Sequence, residues 1–234
     1  MGIGSTLLLV AAFSLVSFGD GYERVGGGVA TDREGRALMA SLASDLSTAY
    51  FHKDAMIEQT NERWPKDRLG FLSLQAAHRQ SAAGCIADLC AVSYHIEDVM
   101  IGDKTVRCLM RACRESQETF QALEGDGMAA LFEQCAHGGD PMAFGVISFE
   151  ARPMSRDDSG RWVPWVKNPL VRPDAIDLRV VMARRELAGK LKLPGDWDGV
   201  GTYSGMLGNS IDASKNALLE VFAARIDFGI HETR

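Results

Sequence analysis

What the chain lacks narrows it first. Across 234 residues there is no Gly-x-Ser-x-Gly elbow, no phosphate-cradling loop, no dinucleotide fingerprint and no His-Glu-x-x-His helix. Those gaps remove the commonest hydrolase, nucleotide-binding and zinc-protease signatures. The histidines, His52, His78, His95, His137 and His231, are scattered, and none stands at ligand spacing from another. Positive charge is scarce as well. The 25 Lys and Arg against 31 Asp and Glu leave a net charge of −6 and a pI of about 5.4. The longest like-sign cluster is the pair Arg184-Arg185. Binding phosphates needs a basic face, so nucleic acid is excluded as a main partner. Composition is otherwise that of a folded domain, 46% hydrophobic and 24% charged, with no low-complexity tract.

Cysteine is also sparse. Cys85, Cys90, Cys108, Cys113 and Cys135 make an odd count, so at least one has no intramolecular partner. Four residues separate Cys85 from Cys90, four separate Cys108 from Cys113, and seventeen lie between the pairs. Structural zinc sites use pairs of this kind. A separation of five along a strand, however, puts Cys108 and Cys113 on opposite faces, which disfavours a shared metal. A hairpin folded about Ile101-Gly102 sets Cys90 opposite Cys113 for a cross-strand disulfide, whereas a turn centred on Gly102-Asp103 misses that pairing by two. Unpaired buried thiols are the default.

A run with no charged residue covers Ile3 to Phe18, sixteen residues. A secretory signal needs a basic flank and a small-residue cleavage site. Ser17-Phe18-Gly19 supplies the second, but the first Lys or Arg is Arg24. A complete membrane span takes roughly 20 apolar residues. A core helix with no charge on any face is unusual. The expectation is a membrane anchor, with a removed signal as its rival. Gly26-Gly27-Gly28 then mark a break or joint, because helical Gly costs about 1 kcal/mol relative to Ala. Thr31 or Asp32 is expected to cap a new helix. Leu38, Leu42, Leu46 and Ala49-Tyr50 form its apolar face, with Arg33, Arg36, Ser44 and Ser47 off it.

Phe51 to Arg68 is polar and reads as a surface connection. Leu69 to Gln75 reads as a strand and Ala76 to Gly84 as a loop. Leu89 to Val99 and Thr105 to Ala112 pair as a hairpin around Gly102-Asp103. Helical patches follow at Glu115 to Leu123 and Met128 to Ala136, and His137 to Pro141 breaks them. Phe144 to Arg152 reads as one strand, Arg156 to Gly160 as a turn, and Trp162 to Trp165 as extended chain. Ala175 to Ala183 is a strand, Arg184 to Leu191 a short helix, Pro194 to Ser210 a glycine-rich loop, and Leu218 to Phe228 the last strand. About six strands without a βαβ rhythm give an antiparallel α+β body.

No catalytic, cofactor-binding or metal-ligating constellation emerges. Asp196-Trp197-Asp198-Gly199 matches part of a calcium loop but lacks its third acidic position and terminal Glu, and reads as a turn. Asp157-Asp158 reads as a solvated hairpin tip. Trp162 and Trp165 suit packing more than a sugar-stacking platform.

The order of these parts resembles the prepilin-like proteins of bacterial type II secretion, in particular the minor pseudopilin of the J type. Arg36 to Tyr50 is similar to the end of that family's long helix, with Arg-Ala, then Leu, then Asp-Leu. Gly145 to Ala183 is similar to its strand, Asp/Gly turn, Trp and Pro-x-Ala-Ile/Val-x-Leu/Val strand. Here those read Val146-Ile147-Ser148-Phe149, Asp158-Ser159-Gly160, Trp162, Trp165 and Pro173-Asp174-Ala175-Ile176-Asp177-Leu178. The triple glycine stands where the family's helix is continuous. The resemblance implies an α+β fold in which an N-terminal apolar helix (1–25) continues to an amphipathic helix (26–50) packed on an antiparallel β-rich head (51–234). It also implies a non-catalytic, single-pass inner-membrane subunit held by Ile3 to Phe18, with its head in the periplasm. Expected partners are other minor pseudopilins and secretion-system inner-membrane proteins, and the expected role is at the tip of the filament or in its initiation. The rival expectation is an exported periplasmic or surface domain with a cleaved signal, binding a carbohydrate or peptide near Trp162 and Trp165. A hydrolase would require a pocket where a histidine and a carboxylate converge.

Overall fold

The computed structural model describes residues 28–76, 85–166 and 172–228. The anchor expected at Ile3 to Phe18 lies outside the described residues, as does most of the loop expected at Ala76 to Gly84. Among the described residues no helix is long and apolar enough to cross a membrane.

Helix α1 occupies 28–47. Its buried positions are Thr31, Gly35, Leu38, Leu42, Asp45 and Leu46, one stripe at helical spacing. The expected leucine face is therefore present, and Arg33, Arg36, Ser44 and Ser47 are exposed. Two expectations for this segment fail. The helix is already formed at Gly28, so neither Thr31 nor Asp32 caps it, and Asp32 pairs instead with Arg36 one turn on. Tyr50 lies beyond the helix and is exposed, its backbone bridged to Leu72. Position 35 of the helix takes a glycine because the Phe222 ring occupies the space a side chain would fill, with a Cβ there only 2.2 Å from ring carbons.

Nine strands form two antiparallel sheets among the described residues. In the first, β1 (Met56–Glu58), β2 (Arg68–Leu74), β3 (Leu89–Ile101), β4 (Lys104–Arg114) and β5 (Asp140–Phe144) lie in sequence order. In the second, the order is β7 (Trp162–Pro164), β6 (Val146–Arg156), β8 (Ala175–Ala183) and β9 (Leu219–Asp227). Helices α2 (Ser116–Glu124) and α3 (Met128–Cys135) follow β4. Single turns α4 (Arg185–Ala188), α5 (Pro194–Trp197) and α6 (Ser204–Leu207) precede β9.

The β3–β4 hairpin turns at Gly102-Asp103, with Ile101 opposite Lys104 and Gly102 at φ +65°. Several other readings need correction. Phe51 to Arg68 is not a surface connection: it contains β1 and buries Met56, Trp64 and Asp67. Phe144 to Arg152 is not one strand. Gly145, at φ +74°, bends the chain so that β5 ends in one sheet and β6 begins in the other. Pro194 to Ser210 is not a plain loop, because two helical turns there bury Trp197 and Leu207.

The main core joins Leu38, Leu42 and Leu46 of α1 to Leu69, Phe71, Val92 and Leu109 of the first sheet. The same core takes in Val146, Phe149, Ile176 and Val180 of the second. One helix face thus closes over both sheets. Behind the first sheet α3 packs through Met128, Leu131 and Phe132. Behind the second lie Trp64, Leu187, Leu191, Trp197 and Leu207. The sheets are stitched where residues 65–67 run beside β6: Phe149 N donates to the Pro65 carbonyl and Asp67 N to the Phe149 carbonyl, both at 2.9 Å. Arg107, 2% exposed, is held bidentately by Asp98 at 2.7 and 2.9 Å and by Asp198 at 2.8 Å. Burial would lower its pKa, and those two carboxylates more than offset the loss.

Candidate functional site

Two buried polar groupings stand out, one at the foot of α1 and one in a cleft beside β6. At the foot, Asp45 sits on the apolar stripe between Leu42 and Leu46, its side chain 5% exposed. The Tyr94 hydroxyl donates to Oδ2 at 2.6 Å, Arg111 Nε to Oδ2 at 2.7 Å and Gln75 Nε2 to Oδ1 at 3.2 Å. Ser73 Oγ donates to the Asp45 carbonyl at 3.0 Å, and Arg111 Nη2 to Gln75 Oε1 at 3.1 Å. The donors come from β2 (Ser73), β3 (Tyr94) and β4 (Arg111), with Gln75 just past β2, so Asp45, through its carboxylate and its backbone carbonyl, pins the helix to three strands. Burial alone would raise its pKa; the bonds from Arg111, Tyr94 and Gln75 outweigh that and hold it below the usual carboxylate range. Tyr94, buried beside this anion, has its own pKa pushed up. A carboxylate with both oxygens taken is a structural clamp and has no proton to exchange.

The cleft encloses about 520 Å³ and is lined by Thr60, Asn61, Asp67, Glu150, Trp165 and Asp177, among others. Asp67 accepts from the Thr60 and Ala151 backbone N–H groups, each at 2.8 Å. Burial is the first cause of its raised pKa and the Glu150 charge adds to it, with the backbone bonds opposing both. Glu150 lies between Arg152 and Arg179, and Asp177 is paired with Arg225. The lining contains no histidine. Such a cleft can receive a polar ligand by hydrogen bonding along one Trp edge, but it holds no activated nucleophile.

The residues singled out in the sequence are mostly kept apart. Trp165 lines the cleft, whereas Trp162 is covered by Arg156 and Arg225, 4.5 and 4.6 Å from its ring centre. Those two guanidiniums occupy the ring that a sugar platform would need. Asp196 accepts from the Lys192 and Leu193 N–H groups at 3.1 Å, Trp197 Nε1 donates to the Thr105 carbonyl, and Asp198 binds Arg107 and Lys66. The segment is a plug between α5 and β4. Asp157 accepts from Ser159 N and Arg161 N, which organises the β6–β7 turn. His52 faces Asp54 at 3.5 Å, and buried His95 lies 3.6 Å from Glu97 with its pKa lowered chiefly by burial. His78 and His231 are outside the described residues.

All five thiols are free. The Gly102-Asp103 turn sets Cys113 opposite Val92 and Cys90 opposite Ser73, so the directly opposed cysteine pair does not form. Cys90 and Cys113 are diagonal neighbours instead. Among the described residues no three His, Cys, Asp or Glu side chains are grouped to hold a metal ion.

The clamp was not anticipated. Its one sequence signal is an aspartate set into a leucine stripe, a position where a charge is costly unless paired. Its partners lie 28 to 66 residues away, beyond the reach of local patterning.

No family model matches the chain. No curated protein matches it either. Among solved structures it is similar to a chain of the GspK–GspI–GspJ complex from the enterotoxigenic Escherichia coli type 2 secretion system. That likeness has a TM-score of 0.33 and 9% identity, and it covers 67% of this chain and 90% of the other.

Proposed function

We propose that this chain is a non-catalytic structural subunit of a type II secretion pseudopilus, of the minor pseudopilin kind. On this reading Ile3 to Phe18 anchors it in the inner membrane, its head faces the periplasm, and other minor pseudopilins are its partners at the filament tip. The observation that carries the reading is the way α1 joins the body. Leu38, Leu42 and Leu46 close over both sheets, and Asp45 locks the helix end to β3 and β4 through its carboxylate and to β2 through its backbone carbonyl. A helix built into a head this firmly transmits load from an anchor at its other end to the whole domain. The test expresses the full chain and fractionates the cells. Retention of the unprocessed N-terminus in inner membranes, with the head open to protease only from the periplasmic side, supports the proposal. A soluble cytoplasmic product sinks it.

The cleft favours a second reading, an exported domain that binds a carbohydrate or peptide beside Trp165. The same fractionation separates the two, since a mature protein beginning near Asp20 and released from the membrane selects the second.

A further inference from the structure

Cys90 and Cys113 have features that neither reading uses. They sit diagonally across the β3–β4 pair, since Cys113 is opposite Val92 and Cys90 is two residues back along β3. Side chains two apart on a strand share a face, so both thiols lie on the face of Tyr94 and Arg111. The right-handed twist of paired strands rotates neighbouring side chains relative to one another, and the diagonal register leaves the two thiols as neighbours that influence each other's ionisation. Cys90 is fully buried, whereas Cys113 is exposed at the end of the sheet.

The two sulfurs are unequal in chemistry as well as in access. Interaction with the neighbouring Cys90 thiol is the main cause that draws the Cys113 thiol down to about 7, with desolvation on the side packed against the sheet opposing and the Arg111 guanidinium helping. The same interaction, with burial, pushes Cys90 up. Arg111 on β4 favours the Cys113 thiolate and Asp45 on α1 disfavours it, while Cys85 bears on Cys90, and Cys113 in turn bears on Cys135. Attack on disulfides is the work of a thiolate that solvent can reach, and a second thiol in contact resolves the product.

We infer that Cys90 and Cys113 form a redox-active dithiol, with exposed Cys113 as the attacking sulfur and buried Cys90 as the resolving one, oxidised by a disulfide from solution. The Cys113 thiolate attacks one sulfur of that disulfide, forming a mixed disulfide and expelling one thiolate. Cys90 then attacks the Cys113 sulfur and gives up its proton. The new Cys90–Cys113 bond forms as the mixed bond breaks, and the second thiol leaves. The chain loses two electrons and two protons, and the external disulfide becomes two thiols. The bridge ties the start of β3 to the end of β4, beside the Arg111 that holds Asp45. Redox state is thereby coupled to the seat of α1.

The test takes the reduced full-length protein and incubates it with oxidised glutathione. Free thiols after denaturation are expected to fall from five to three. Peptide mapping should show one Cys90–Cys113 link, with fragmentation separating Cys90 from Cys85. In Cys90→Ala, glutathione should remain on Cys113, and the pH midpoint for alkylating Cys113 should move up from about 7 as the neighbouring thiol is removed. In Cys113→Ala, Cys90 should stay unmodified. Stable glutathione on Cys113 in the unsubstituted protein, a Cys85–Cys113 link, or five unreacted thiols would each overturn the inference, and all three are read without any variant.

Discussion

Asp45 and Asp67 are two buried carboxylates in one domain, and their settings push them in opposite directions. Asp45 meets a guanidinium, a phenol and an amide, and its pKa falls despite burial. Asp67 meets backbone N–H groups and a neighbouring carboxylate, and its pKa rises. What separates them is whether a cation was supplied. Arg111 completes the helix foot, whereas the arginines near the cleft are spent on Glu150 and Asp177. The foot is a finished joint, and the cleft retains an acidic group that folding holds at a cost.

The largest effect is expected at the foot. Asp45→Ala leaves Arg111 and Tyr94 buried without their acceptor and should cost about 3–5 kcal/mol in chemical denaturation. The matching change in the cleft, Asp67→Asn, should cost less, about 1–2 kcal/mol, because the amide oxygen keeps one backbone bond while its NH2 meets the other N–H. Equal losses at both positions would erase the distinction.

Acid titration sharpens the same contrast. A lowered folded pKa means that Asp45 stabilises above the ordinary carboxylate value of about 4 and loses that contribution as pH falls through the folded value. Asp67, raised, works the other way: its penalty is present near neutral pH and is relieved as pH falls through its folded value. Stability measured from pH 7 downward should therefore drop less steeply at the acid end in Asp45→Asn, and lack any mild-acid gain in Asp67→Asn.

Gly35 tests whether the foot acts alone. Gly35→Ala drives a methyl into the Phe222 ring and should cost about 1–3 kcal/mol, with much of it regained in Gly35→Ala/Phe222→Leu. The smallest change is expected at the outer edge of the cleft region. Trp162→Ala removes the ring between Arg156 and Arg225 and should cost about 0.5–1 kcal/mol in thermal denaturation.

The leucine stripe of α1, the β3–β4 turn and the last two strands were legible because each is set by spacing within one element. The break at Gly145 was hidden by the apolar pattern, which runs across it from Phe144 through Val146 to Phe149. Only a glycine able to take φ +74° marks the crossing. Trp64 and Trp197 were equally opaque. Trp64 sits in a polar stretch and Trp197 in a glycine-rich one, yet both are fully covered, because long segments fold back over the outer face of the second sheet. The clamp is harder still to foresee, since its donors come from three separate parts of the chain.

The stitch between residues 65–67 and β6 carries a consequence for how the chain comes together. Asp67 receives its second backbone donor from Ala151, 84 residues later. When synthesis proceeds from the N-terminus, the first sheet can zip its hairpin early, but its seam to the second stays open until Ala151 has emerged. A ribosome stalled before that point should display a half-built head whose 59–67 segment is readily cut by protease.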